Sequence, residues 1–255
     1  MSHQILVALL LTTGAGLATT IGSLIGLAVR KPGPKFMGFT LGFSAGVMIL
    51  VSFVELLQEG INTIGFLTAH IAFFIGMVSF FLIDTLIPHD YIGQHDHPDR
   101  KPNSQLMRTG VLVALGIGIH NFPEGMATFA GALEDIHLGV AIAVAIAIHN
   151  IPEGLAVSAP IYKATGSRKK AFIWSFLSGV SEPIGAGLAA LVLMPFLNDT
   201  VLGWVLAIVA GIMVAISVDE LVPAAKDFGQ EHSHAPILGV IVGMFIMALS
   251  LWLLG

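Results

Sequence analysis

Residues 120 to 125 read HNFPEG and residues 149 to 154 read HNIPEG. Each copy sets an imidazole, an amide, a proline and a carboxylate into a stretch built mostly of Ile, Ala, Gly, Val and Leu. In a helix, residues four apart share a face, so His120 lies over Glu124 and His149 over Glu153. Asn121 and Asn150 sit about 100° round from the histidines, near enough to join that polar surface. Pro123 and Pro152 lack the N–H that would bond the carbonyl four residues back, which frees the carbonyls of Ile119 and Ile148. Imidazole, carboxylate, amide oxygen and a spare carbonyl around one point make a coordination shell, and two copies facing each other double it. Histidine beside carboxylate favours a divalent transition metal over sodium or calcium. A single H-x-x-x-E could be an internal hydrogen bond. A second copy with the same Asn, Pro and Gly argues against that reading.

Other acids extend the set. Glu182, in SGVSEPIGAG, precedes Pro183 and could complete a second metal position beside the first. Glu55 and Glu220 fall in equally apolar surroundings. A charged side chain near the centre of a bilayer costs about 2.5–3.5 kcal/mol, so five unpaired carboxylates would cost on the order of ten kcal/mol. No Lys or Arg lies within these stretches to neutralise them. The positive charge must therefore arrive as protons or as a cation.

The elements that carry these residues are membrane helices. Of the 255 residues, 11% are charged and 55% hydrophobic, and the mean hydropathy is +0.89. Lipid is the expected solvent, and roughly 20 apolar residues make one span. Eight spans are expected, at about 5–29, 36–58, 63–87, 109–131, 137–161, 171–197, 200–225 and 235–254. The fold class is an all-α polytopic membrane protein forming one domain over 1–255. Continuous apolar runs exclude a β-barrel, whose strands alternate. The opening MSHQILVALL lacks a basic flank and is read as the first span rather than a cleaved signal. There is no cysteine, which excludes disulfides, thiolate metal sites and thiol catalysis.

A second internal match runs from AGVMILVSFVEL (45–56) to AGIMVAISVDEL (210–221), at a constant offset of 165. It pairs Glu55 with Glu220 and Met48 with Met213. These lie in spans two and seven, which run in opposite directions. TIGSLIG in span one pairs more weakly with PIGAGLA in span six. Spans one to three and six to eight thus form an expected inverted repeat around an antiparallel pair, spans four and five, in a 3+2+3 arrangement. Inverted repeats with a midplane site near broken helices are a transporter architecture. Met48, Glu55, Asp219 and Glu220 are candidate transport-pathway residues. For the methionine, simple packing is the competing reading.

All eleven Lys and Arg residues fall in the loops after spans one, three, five and seven or at their edges. The positive-inside rule places these loops in the cytoplasm and both termini outside. The opposite loops carry Glu59, Glu134, Asp135 and Asp199, which would concentrate cations there.

HNFPEG, HNIPEG, the span-two SFVELL, the span-seven SVDELVPAA and the LIPH segment at 86–89 together resemble the ZIP family of divalent-metal transporters, most closely its bacterial zinc-uptake subgroup. The resemblance covers essentially the whole chain. It implies a binuclear site between spans four and five. His120, Glu124, His149 and Glu153 would form the main transport position. Asn121, Asn150 and Glu182 would form the adjacent one, bridged by Glu124 and Glu153. It also implies flux towards the cytoplasm and a homodimer.

The expected function is transport of divalent transition metal into the cytoplasm across the inner membrane, zinc first, with iron, manganese, cobalt and cadmium as further substrates. No cofactor is expected beyond the transported ion, and the partners are metal ions and the bilayer, not nucleic acid. Nothing resembles a phosphate-binding G-x-x-x-x-G-K-[ST] loop, so ATP hydrolysis is not expected. The alternative is an intramembrane metal-dependent hydrolase, which needs an open metal position and a base. H-x-x-x-E is not H-E-x-x-H, however, and catalysis rarely needs the ligand set twice. A channel would share the site, but such ligands hold a transition metal too long for fast conduction. His89, His95 and His97, in the loop after span three, could collect emerging metal, as His-rich tracts do; a solvated loop is the competing reading.

Overall fold

The computed structural model describes residues 3–29, 33–86, 102–193, 198–228 and 233–254. Among them the secondary structure is helical throughout. The eight helices are α1 (His3–Ala28), α2 (Pro34–Ile64), α3 (Phe66–Leu86), α4 (Pro102–Glu134), α5 (Ile136–Thr165), α6 (Arg168–Leu188), α7 (Asp199–Ile216, continuing through Val222–Phe228) and α8 (Ala235–Leu254). π-Helical turns interrupt α2 at Ser52–Leu56 and α7 at Ser217–Leu221, and another extends α6 over Ala189–Leu193. α4 begins at Pro102, so it includes 102–108, part of the stretch expected as loop.

Local chemistry sets the turns. Gly65 (φ 81°) ends α2 and Gly166 (φ 65°) ends α5, in a left-handed conformation that glycine adopts without a Cβ clash. Their N–H groups bond the carbonyls of Ile61 and Tyr162 at 2.9 and 2.8 Å. Ser167 caps α6 by accepting from the Lys170 N–H, and Asn198 caps α7 by accepting from the Val201 N–H.

Five helices are long and apolar enough to cross a membrane on their described residues: His3–Ala28, Pro34–Ile64, Ile142–Thr165, Asp199–Asp227 and Ala235–Leu253. α3 contributes a shorter apolar stretch, Phe66–Leu82. The distribution of polarity is that of a membrane protein. Leu6, Leu10, Leu17, Leu24, Phe74, Ile241, Phe245 and Trp252 face outward, whereas histidines, asparagines and glutamates fill the centre. In lipid the exposed apolar surface carries no penalty, and the polar groups gather where they can meet one another.

α1 packs on α4, α5 and α6; α2 packs on α7 and α8, and α3 on α7. Contacts of α2 with α5 and of α4 with α7 join these two groups. Small residues let the backbones touch, as is usual between helices in a bilayer. Gly46 abuts the Val240 carbonyl and Gly211 the Phe73 carbonyl. Gly243 meets the Phe43 carbonyl and Gly76 the Ile208 carbonyl. Both pairs of contacts interconvert at offsets of 165 between α2 and α7 and 167 between α3 and α8.

Candidate metal site

α4 and α5 form a hairpin with Asp135 as its only linker residue. Asp135 Oδ1 accepts from the His137 N–H at 2.7 Å, capping the second helix. His120 precedes Asp135 by 15 residues and His149 follows it by 14. At 1.5 Å per residue both histidines stand about 21–23 Å from the turn, at one level of the bundle.

His120, Asn121, His149, Asn150, Glu153 and Glu182 are each 0% exposed, and Glu124 is 1% exposed. The histidines reach across the hairpin rather than along their own helices. His120 Nε2 lies 2.9 Å from Glu153 Oε1, and His149 Nε2 lies 3.4 Å from Glu124 Oε2. With an ionised carboxylate and a neutral imidazole, Nε2 donates and Nδ1 keeps its lone pair.

The asparagines are held from outside the hairpin. Asn121 Nδ2 donates to the Ser178 carbonyl of α6 at 3.3 Å. Asn150 Nδ2 donates to the Ala15 carbonyl of α1 at 3.0 Å and also to Glu182 Oε1. Both amide groups therefore turn their nitrogens to α1 and α6, and both Oδ1 atoms stay free of hydrogen bonds.

The same is true of other atoms of the ligand set. His120 Nδ1, His149 Nδ1, Glu124 Oε1, Glu153 Oε2 and Glu182 Oε2 are buried without a hydrogen-bond partner. A buried unsatisfied polar atom costs about 1–3 kcal/mol, more when charged. So many at one place signal a site for something with positive charge. Among the described residues, however, no three His, Cys, Asp or Glu side chains already converge as a formed metal centre would require. The cross-hairpin hydrogen bonds hold them in pairs instead.

Glu182 joins the cluster, where the charges of Glu124 and Glu153 act on it. Glu55, half-buried in the α2 π-turn, feels the charges of His149 and Glu124, and its Oε2 has no partner. Glu220, at the matching turn of α7, is half-buried, and Asp219 beside it is exposed. Met48 and Met213 are both fully buried in the main apolar core. Each is covered by the next turn's serine, as Ser52 Oγ and Ser217 Oγ donate to the Met48 and Met213 carbonyls at 2.6 and 2.7 Å. His89, His95 and His97 lie outside the described residues.

Sequence reasoning missed the motif glycines. A β-carbon on Gly125 would run into the Glu182 carbonyl, and one on Gly154 into the Thr19 carbonyl. The last letter of each PEG thus lets α6 and α1 close on the hairpin and deliver the asparagine anchors. The signal was present in the repetition of the glycine, but only the packing gives it a reason.

The ZIP Zinc transporter family model matches residues 87–251. A protein of Streptococcus mutans named Zinc transporter ZupT is 49% identical over 265 aligned residues, covering 99% of this chain and 99% of its own length. Proteins of the same name from Oceanobacillus iheyensis and Chlorobium phaeovibrioides are 51% and 53% identical; the first match covers 98% of this chain and 99% of the relative, the second 97% of each.

Proposed function

The chain belongs to the ZIP zinc transporter family, and from that premise we propose that it carries zinc across the cytoplasmic membrane into the cytoplasm. The family is one of transporters, not enzymes, which sets the hydrolase alternative aside. The observation that carries the reading is the cluster of buried, unpartnered Oδ1, Oε and Nδ1 atoms between α4 and α5.

In this reading the dication is the substrate. It opens the His120–Glu153 and His149–Glu124 hydrogen bonds and takes those four side chains as ligands. A second position uses the Oδ1 atoms of Asn121 and Asn150 together with Glu182, with Glu124 and Glu153 bridging. Iron, manganese, cobalt and cadmium accept the same imidazole and carboxylate ligands and are proposed as further substrates. Glu55, Met48, Asp219 and Glu220 lie on the proposed path, and the loop histidines His89, His95 and His97 would receive the ion at its end.

All eight helices would span the bilayer as a 3+2+3 inverted repeat, which the contacts recurring at fixed offsets support. Basic loops in the cytoplasm and both termini outside follow from the positive-inside rule. A dication entering a cell held at −100 mV gains about 4.6 kcal/mol, twice the single-charge value, which suffices to drive uptake without ATP. A homodimer is the proposed assembly.

The test is zinc entry into proteoliposomes holding a trapped fluorescent indicator, with wild type beside His149→Ala. Saturable entry that is lost in the variant supports the site between α4 and α5. No entry in wild type under an inward-negative potential, with tight zinc binding retained, would overturn transport as the function.

A further inference from the structure

The pseudo-symmetry that relates the two halves of the site fails at one position. An offset of 29 carries the α4 motif onto the α5 motif, and an offset of 163 carries α1 onto α6. The contacts obey both offsets. Asn150 donates to the Ala15 carbonyl and Asn121 to the Ser178 carbonyl, and 15 and 178 differ by 163. Gly22 abuts the Ile151 carbonyl and Gly185 the Phe122 carbonyl. Gly154 abuts the Thr19 carbonyl and Gly125 the Glu182 carbonyl. Three independent pairs of contacts therefore equate Thr19 of α1 with Glu182 of α6.

Thr19 is 0% exposed, and its Oγ1 has no hydrogen-bond partner. A threonine within a helix ordinarily returns its hydroxyl to the carbonyl four residues back, as Thr12 does to Ala8 at 3.0 Å. Thr19 does not. Its side chain leans on α6 instead: a β-carbon placed on Gly179 would lie 3.2 Å from Thr19 Oγ1. Gly179 follows Ser178, the residue whose carbonyl anchors Asn121. The hydroxyl thus stands at the turn of α6 that holds Asn121, as Glu182 stands beside Asn150 on the other side.

We propose that Thr19 is a direct oxygen contact for the transported dication on the Asn121 side of the paired motif, a neutral ligand where the opposite side has the Glu182 carboxylate. The proposal rests on the metal-transport reading above and deepens it. Its consequence is an unequal pair of half-sites. The half with Asn150 and Glu182 is anionic and holds a dication tightly. The half with Asn121 and Thr19 offers two neutral oxygens and lets it go. A carboxylate at both positions would add a further negative charge to a buried cluster that already contains Glu124, Glu153 and Glu182, and would deepen the well from which the ion must leave.

The absence of cysteine from the chain makes the test clean. Thr19→Val is close in shape and removes only the hydroxyl, Thr19→Ser keeps it, and Thr19→Cys places the one thiol of the molecule there. In zinc-loaded proteoliposome assays, Thr19→Val is expected to raise KM about five- to tenfold with the maximal rate at or above wild type. Thr19→Ser is expected to stay within about twofold of wild type. Thr19→Cys is expected to shift preference towards cadmium by about tenfold, since thiolate is the softer ligand. Zinc, but not magnesium, should protect that cysteine from a thiol reagent. Wild-type kinetics in Thr19→Val together with a cysteine that zinc leaves reactive would overturn the proposal. If His149→Ala then still abolishes uptake, the transport site itself stands. Loss of uptake in Thr19→Val with equal loss in Thr19→Ser would assign Thr19 a packing role and overturn it too.

Discussion

Glu153→Gln keeps the shape of the side chain and removes one charge from the centre of the site. In the structure Glu153 Oε1 accepts from His120 Nε2 at 2.9 Å, and its Oε2 is buried with no partner. The glutamine carbonyl can keep the histidine bond, but as a neutral acceptor. Hydrogen bonds to charged groups contribute about 1.5–3 kcal/mol and neutral ones about 0.5–1.5 kcal/mol, so the fold loses on the order of 1 kcal/mol. For a chain of this size that is roughly 2–4 °C in Tm. The metal loses more, because an NH2 group replaces the free anionic oxygen. Removing one charged contact of about 1.5–3 kcal/mol, at 1.4 kcal/mol per tenfold, weakens binding about 10- to 150-fold. Zinc entry into proteoliposomes below saturation should fall by that factor, while the purified variant remains monodisperse and melts within a few degrees of wild type. Zinc should raise the Tm of wild type, and at the same concentration raise that of the variant less. Wild-type uptake in Glu153→Gln, or an undiminished zinc-induced shift, would refute the assignment of Glu153 as a ligand. Glu153→Asp, which retains the charge, should recover part of the lost rate.

Gly154→Ala and Gly125→Ala each drive a methyl group into a backbone carbonyl of the neighbouring helix; overpacking of this kind destabilises by about 1–3 kcal/mol, readable as a lower Tm in detergent. Gly14→Ala meets nothing within 4 Å and should instead stabilise α1 by about 0.5–1 kcal/mol, an opposite sign in the same assay. Asn150→Ala removes the donor to both Ala15 and Glu182, so calorimetric titration should show one of two zinc-binding events lost while the other persists. Ser52→Ala and Ser217→Ala each delete a hydrogen bond at a π-turn; each should lower stability by about 1 kcal/mol, readable as a lower Tm in detergent.

Much of the molecule was written in the sequence because its causes are local or repetitive. Apolar runs between basic loops specify helices in lipid, whereas the turn at Gly65 falls inside the expected third span, 63–87, and is set by the structure. The duplicated HN-x-PEG marked where polar groups had to gather, since an isolated charge in hydrocarbon has no stable alternative. Asp135, 15 residues from one histidine and 14 from the other, already set both motifs at one depth.

Helical spacing, however, places His120 over its own Glu124, and the structure pairs it with Glu153. That choice depends on the register of two helix surfaces, which no period within either helix encodes. The orientation of the asparagine amides was equally out of reach, because the carbonyls that fix them belong to Ala15 and Ser178, 135 and 57 residues away in the chain. So was the purpose of Gly125 and Gly154, which is to admit another backbone. The π-turns at Ser52–Leu56 and Ser217–Leu221 left only a trace in the paired Ser-x-x-Glu, for one altered hydrogen-bond register within an otherwise regular helix has no hydrophobic period of its own. The sequence determined which polar groups sit within the apolar helices and at what level of the hairpin; the packing of α1 and α6 on the α4–α5 hairpin decided which of their atoms are held by protein and which are left open, because that packing is where distant backbone carbonyls come within hydrogen-bonding range.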